Sequence, residues 1–137
     1  MPIAAALAAA GPAAALWSAL LLILMLVLSI RVTQQRRAHK VSTGHGDQPK
    51  LESAMRAFGN ASEYVPAGMA ALAVLAVAGA SPLIIHAIGG ILFLGRLAHG
   101  IGMSTSLGLS PGRAVGMILT WLAFLFSAIV LLLYAIG

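Results

Sequence analysis

The amino-acid sequence predicts an all-α fold, an integral-membrane bundle of four helices forming a single domain over residues 1–137. Three observations predict it. Of the 137 residues, 61% are hydrophobic and only 8% charged, whereas an average soluble domain is about 25% charged. A water-soluble domain of this size keeps too much of its surface wet to hide such a composition. The apolar residues fall into four blocks near the ~20 residues that cross ~30 Å of hydrocarbon, and short polar or Gly/Pro-containing turns separate them. In lipid the backbone has no water to bond, so each block must be helical.

The first block runs from about Pro12 to Ile30 and continues into a polar helical end, Arg31 to Lys40. Gly11-Pro12 is expected to break or start it, leaving residues 2–10 as a short apolar lead. A retained first helix is expected, because the N-terminus lacks the positive stretch of a secretory signal. Val41 to Pro49 (VSTGHGDQP) reads as a polar loop. The second block spans about Ala54 to Gly79 and carries Arg56, Asn60 and Glu63. Gly79-Ala-Ser-Pro82 reads as a tight turn, with Pro82 at the first helical position. The third block, Pro82 to Met103, holds His86, Arg96 and His99. Ser104 to Pro111 is the next connection, in which Ser110 can cap the last helix. That helix, about Pro111 to Ile136, has no charge after Arg113.

Charge sets the expected orientation. Arg31, Arg36, Arg37, Lys40 and Lys50 flank or lie in the first loop, while the 79–82 turn has no charge. By the positive-inside rule the first and third connections face the cytoplasm of an inner membrane and both termini face the periplasm. Trp17 and Tyr134 then fall toward the outer interface. The net charge of +5 does not imply nucleic acid, whose binders carry a clustered, solvent-facing basic stripe. The chain has no cysteine, so any sulfur chemistry by a thiol must use one that arrives as a ligand.

The polar residues inside the apolar blocks are the candidate site. Arg56, Asn60 and Glu63 stand at i, i+4 and i+7 on one helical face. Arg96, His99 and Met103 repeat such a spacing on the third helix, and Arg113 opens the fourth. Because successive helices run in opposite directions, these groups are expected to converge at one depth in the cytoplasmic half. A structural reading stays open: Arg56 can pair with Glu63, and Arg96 or Arg113 can snorkel to the interface. Against it, each intramembrane charge costs on the order of 2.5–3.5 kcal/mol, and three arginines outnumber one glutamate. Surplus positive charge asks for an anionic ligand. No metal site is expected, since His99 has no second ligand at the required spacing. No Ser-His-Asp triad is expected, since Asp47, the only aspartate, sits in the loop. His39, His45 and His86 read as interfacial or packing residues. The glycine pairs Gly90/Gly95 and Gly95/Gly100 read as marks of close helix packing.

Arg56-x-x-x-Asn60-x-x-Glu63-Tyr64 followed by Pro66 resembles the signature of the MAPEG family, membrane-associated proteins in eicosanoid and glutathione metabolism. Arg36-Arg37-Ala38 resembles the end of the first helix in leukotriene C synthase. Gly95-Arg96-Leu97-Ala98-His99 is similar to the third-helix motif of microsomal prostaglandin E synthase, and Arg113-Ala114 to the catalytic arginine and its neighbour in the leukotriene enzyme. The resemblance covers all four helices in order. It implies a homotrimer with glutathione bound between subunits and facing the cytoplasm. Arg113 would hold the glutathione thiolate, and Arg36, Arg56, Asn60, Glu63, Tyr64, Arg96 and His99 would line the peptide. The implied activity is a glutathione-dependent membrane transferase that takes a lipophilic electrophile from the bilayer, with peroxidase activity on lipid hydroperoxides as a further expectation. The alternative is a non-enzymatic anion-binding membrane protein or scaffold. Met103 stands where family members often carry a tyrosine, Met117 where the prostaglandin enzyme has a tyrosine, and Ala114 where that enzyme has a serine.

Overall fold

The computed structural model describes residues 3–137 as four helices, α1 (Ile3–His39), α2 (Pro49–Ala78), α3 (Pro82–Thr105) and α4 (Pro111–Ile136). All four are long and apolar enough to cross a membrane. At 1.5 Å per residue α1 is about 55 Å long, well beyond the ~30 Å hydrocarbon core. Its polar end, Arg31 to His39, therefore extends past the apolar stretch.

Two expected boundaries are corrected. The helix does not break at Gly11-Pro12: α1 runs through Pro12 as one element, and of the expected lead only Pro2 lies outside the described residues. Pro12 is exposed. The alanines around it have the highest helix propensity, and an interrupted backbone is costly in lipid. Second, α2 begins at Pro49 rather than Ala54. Lys50 and Glu52 make the segment look like loop, but Leu51 between them is fully buried. Pro49 supplies a φ already suited to a first helical turn. The Ser53 hydroxyl then ties this turn to the end of α3 by donating to the Met103 carbonyl.

The remaining ends follow the sequence. Gly79 closes α2 in the left-handed region at φ 88°, a conformation that glycine adopts without steric cost. Ser81 accepts from the Ile84 amide and Pro82 starts α3. Ser110 accepts from the Arg113 amide and Pro111 starts α4. Tyr134 donates to the Gly79 carbonyl at 3.2 Å, so the far end of α4 sits level with that turn. Nearby, Trp17 donates to Nδ1 of His86 at 3.1 Å.

The helices α2 and α3 form the middle of the bundle. α1 packs on both of them and α4 packs chiefly on α3 and less on α2, with no contact between α1 and α4 among the described residues. The α3–α4 seam is built from glycines. A Cβ on Gly95 would stand 3.0 Å from the Gly116 carbonyl oxygen, and one on Gly116 would stand 2.5 Å from the His99 amide nitrogen. One on Gly102 would meet the Arg113 amide at 2.7 Å. Without side chains there, the two backbones approach closely, as small residues allow in membranes. Gly95 thus packs as expected. Gly90 and Gly100 have only ordinary contact distances, to Trp17 and Leu28. The buried residues of α4 are Gly116, Thr120, Ala123 and Ser127, while Ile118, Trp121, Leu125, Ile129 and Leu132 point outward. Small residues inside and large apolar residues outside mark a helix whose outer face is solvated by lipid or by other protein.

Candidate functional site

Of the polar residues on the middle helices, Asn60, Tyr64 and Arg96 meet in one cluster, while Arg56 and Glu63 do not join it. Arg96 on α3 is 2% exposed and is the hub. Its Nε donates to Thr120 Oγ1 on α4 at 2.9 Å, and one terminal nitrogen donates to Asn60 Oδ1 on α2 at 2.8 Å. The other terminal nitrogen lies 3.3 Å from the Met117 sulfur. The guanidinium also stands over the Tyr64 ring, 5.0 Å from its centroid, where the ring quadrupole attracts a cation. All four partners are neutral. A buried charge is tolerable only when well hydrogen-bonded, and this arginine is held by dipoles and a π face with no carboxylate on it. Three of its five N–H groups are directed to acceptors, which leaves two donors.

His99, one turn further along α3, is 6% exposed. Its Nε2 lies 3.1 Å from the Met103 sulfur, and its Nδ1 has no partner among the described residues. Beside it a recess of about 480 Å³ is lined by His99, Leu109, Ser110, Pro111, Arg113, Ala114 and Met117. Arg113 is half-buried. One terminal nitrogen donates to the carbonyls of Leu107 and Gly108. This anchors the guanidinium to the α3–α4 connection and leaves Nε and the other nitrogen without an acceptor among the described residues. Arg113 also lies in the first turn of α4, where the aligned peptide dipoles favour an anion.

The outer residues of the expected set are placed differently. Arg56 is exposed and pairs with Glu52, Nε to Oε1 at 3.3 Å. Glu63 is exposed on the same side of α2; the single ion pair among the described residues is that of Glu52. Arg36 donates to the carbonyls of Ser42 and Gly44 and lies 3.5 Å from the Met55 sulfur. It fastens the first loop over the start of α2. A second recess there, about 420 Å³, is lined by His45, Glu52, Met55 and Arg56. Arg31 and Arg37 are exposed. Within one chain the structure therefore joins Asn60, Tyr64 and Arg96 in one cluster and His99 and Arg113 at one recess. Arg36, Arg56 and Glu63 stand apart from both.

Sequence reasoning missed two participants. Thr120 is fully buried and accepts from Arg96; its only signal was a hydroxyl on the Gly116 side of an otherwise apolar helix. Glu52 lies between the expected loop and the expected start of the second block, although its i, i+4 spacing to Arg56 is visible in the sequence.

The sequence matches the MAPEG family over residues 14–133. The chain belongs to the MAPEG family. The match reaches all four helices, leaving out only the start of α1 and the end of α4, and includes every residue of the two clusters. Among curated proteins the chain is similar to the inner membrane protein YecN of Escherichia coli strain K12, 33% identical over 120 residues. That alignment covers 88% of this chain and 90% of YecN. YecN of E. coli O6:H1 matches to the same extent. MAPEG membership accounts for the order in which the motifs occur along the four helices.

Proposed function

We propose that the chain is a glutathione-dependent membrane transferase in which Arg113 stabilises the thiolate of bound glutathione for addition to a lipophilic electrophile. Lipid hydroperoxides are a further class of acceptor. The observation that carries the reading is the Arg113 recess. A guanidinium fixed by two backbone carbonyls keeps free donors beside an otherwise mostly apolar hollow at a helix start. Ionising a thiol near neutral pH requires its pKa to fall by ~1–2, which is about 1.4–2.7 kcal/mol of differential stabilisation. A guanidinium supplies that without losing its own proton. MAPEG membership supports glutathione as the thiol, because the family includes glutathione transferases.

The donor set fits that substrate. Glutathione has two carboxylates and one ammonium; the chain offers Arg36, Arg56 and the spare donors of Arg96 to the former, with Glu63 and Glu52 as acids for the latter. Asn60 and Tyr64 would line the peptide indirectly, through their hold on Arg96, and His99 would stand near the sulfur. Arg56 and Glu63 are exposed on a membrane-crossing helix, where an uncovered charge is costly. A neighbouring subunit covering that face would relieve the cost, which supports a homotrimer with glutathione between subunits. The similarity to an inner membrane protein supports an inner-membrane location. The basic first loop supports termini in the periplasm and a site toward the cytoplasm.

The second reading, a non-enzymatic anion-binding membrane protein or scaffold, is favoured by one observation. Arg96 already has three of its five N–H groups directed to acceptors within the chain, and Arg56 is paired with Glu52. One experiment separates the two. Dissociation constant, thiolate absorbance near 240 nm and turnover are measured for wild type, Arg113→Leu and Arg56→Ala in one detergent. The transferase reading expects Arg113→Leu to abolish the thiolate signal and cut turnover by ~10² or more, the scale for one oriented electrostatic donor, with a small change in affinity. Arg56→Ala should lose binding first. Wild-type protein that binds glutathione with no thiolate signal and no turnover would establish the scaffold reading.

A further inference from the structure

The chain has no cysteine, so its own sulfur nucleophiles are the thioethers of six methionines. Met117 occupies a distinctive place among them. It follows Arg113 by one helical turn on α4, lines the same recess, is half-buried, and has its sulfur 3.3 Å from an Arg96 nitrogen. The neighbouring Met103 is 7% exposed, with its sulfur against His99. Met25 and Met69 are partly buried apolar residues packed against the core. Met117 combines a mostly apolar recess, a thioether sulfur and two guanidinium groups close by; Met55 has a comparable pair, Arg36 and Arg56, but at the polar recess of the first loop beside His45 and Glu52.

We propose that Met117 is an oxidation site for lipophilic hydroperoxides, converted to its sulfoxide by a peroxide bound in the Arg113 recess. The thioether sulfur attacks the distal peroxide oxygen. An S–O bond forms as the O–O bond breaks, the sulfur loses two electrons to the peroxide, and the alkoxide leaves. The alkoxide takes the proton of the transferred hydroxyl, so that thioether and hydroperoxide become sulfoxide and alcohol. Arg96 engages one sulfur lone pair and leaves the other for attack. Arg113 faces the same hollow and offers free N–H donors to the departing alkoxide, a role a guanidinium fills without deprotonating. Beside His99 and Ser110, the hollow is lined by Leu109, Pro111 and Ala114 and is mostly apolar, which suits an alkyl hydroperoxide better than hydrogen peroxide.

The product matters to the site. A sulfoxide oxygen is a stronger acceptor than a thioether, so it would hold Arg96 more tightly and place a dipole in the apolar recess. Methionine oxidation is reversible by sulfoxide reductases, which makes the site a peroxide-set switch on recess polarity. The inference shares the recess with the transferase reading, but its test contains no glutathione, so either can fail alone.

Purified protein in nanodiscs is treated with equimolar fatty-acid hydroperoxide, and in parallel with hydrogen peroxide. The 16-Da gain at each methionine is followed by peptide mass spectrometry over time. With the fatty-acid hydroperoxide, Met117 should oxidise at least about tenfold faster than Met25 and Met69, below the ~10²–10³ of a fully oriented donor. That preference should disappear with hydrogen peroxide. Arg113→Leu should remove the preference while leaving the rates at Met25 and Met69 unchanged. Oxidation of Met117 no faster than Met25, in wild-type protein alone, overturns the proposal. So does an undiminished preference in Arg113→Leu, or an equal preference with hydrogen peroxide.

Discussion

Replacing Thr120 with valine tests how the bundle tolerates a buried arginine. Thr120 is fully buried, accepts from Arg96 Nε at 2.9 Å and donates to the Gly116 carbonyl at 2.8 Å. Valine keeps the β-branched shape and removes the oxygen. The Gly116 carbonyl keeps its helical partner, so the loss falls on Arg96. A hydrogen bond to a charged group is worth about 1.5–3 kcal/mol in soluble proteins, whereas polar contacts in a membrane protein average ~0.6 and reach ~1.7 kcal/mol. The lower scale reflects an unfolded state that still finds partners in lipid. A guanidinium at 2% exposure has few alternatives in the folded state, so the expected cost lies near the top of the membrane range, about 1.5 kcal/mol. Thr120→Ser retains the acceptor and should recover more than half of that loss. The assay is reversible unfolding in mixed micelles with increasing denaturing detergent, followed by circular dichroism. A double-mutant cycle with Asn60→Ala should give a coupling of about 0.5 kcal/mol or more, as expected for members of one network. Thr120→Val within ~0.5 kcal/mol of wild type, the range of an uninvolved surface substitution, would refute the claim that Arg96 is held by its neutral partners.

Gly116→Ala should destabilise the bundle by about 1–3 kcal/mol, as overpacking does, because its Cβ would meet the His99 amide and the Gly95 carbonyl; the same unfolding titration reads it. Glutathione binding by calorimetry should weaken by about 1.5–3 kcal/mol in Glu63→Gln if that carboxylate carries the ligand ammonium. Unchanged affinity in a folded variant, with loss in Glu52→Gln instead, would transfer the role to Glu52. Reporter fusions at residue 137 and within residues 43–47 should give opposite signals, periplasmic and cytoplasmic respectively. A cytoplasmic signal at residue 137 would reverse the orientation and the side from which glutathione reaches the recess.

Much of the fold was legible because the bilayer demands it. Four apolar blocks of spanning length leave few arrangements, and Ser81-Pro82 and Ser110-Pro111 marked the helix starts that the structure shows. The misplaced boundaries have local causes. Charge at Lys50 and Glu52 concealed a first turn anchored by Leu51 and Ser53, and Gly11-Pro12 signals a break only where water can satisfy a freed carbonyl. Within the site, depth was legible and azimuth less so. Antiparallel helices place Asn60, Arg96 and the Gly116–Thr120 turn of α4 at one level whatever their rotation. The rotation of α4 was hidden because its large apolar residues face outward and its buried stripe consists of glycine, threonine, alanine and serine. A reading that seeks the apolar face as the buried one turns this helix the wrong way and loses Thr120.

That inverted α4 links the fold to the candidate chemistry. Glycines at 95, 102 and 116 draw the α3 and α4 backbones together, so Arg96 can reach Thr120 and Met117 without crossing a layer of side chains. The same close approach puts His99 next to the first turns of α4, where Ser110 and Pro111 fix the helix start and Arg113 projects beside the recess. A bulkier seam would keep all these residues in the sequence and separate the cluster from the recess. The small residues of the α3–α4 contact therefore belong to the functional argument as much as the arginines do. A residue-type match to the MAPEG motifs is sufficient for the site only where the glycines that close this seam are also present.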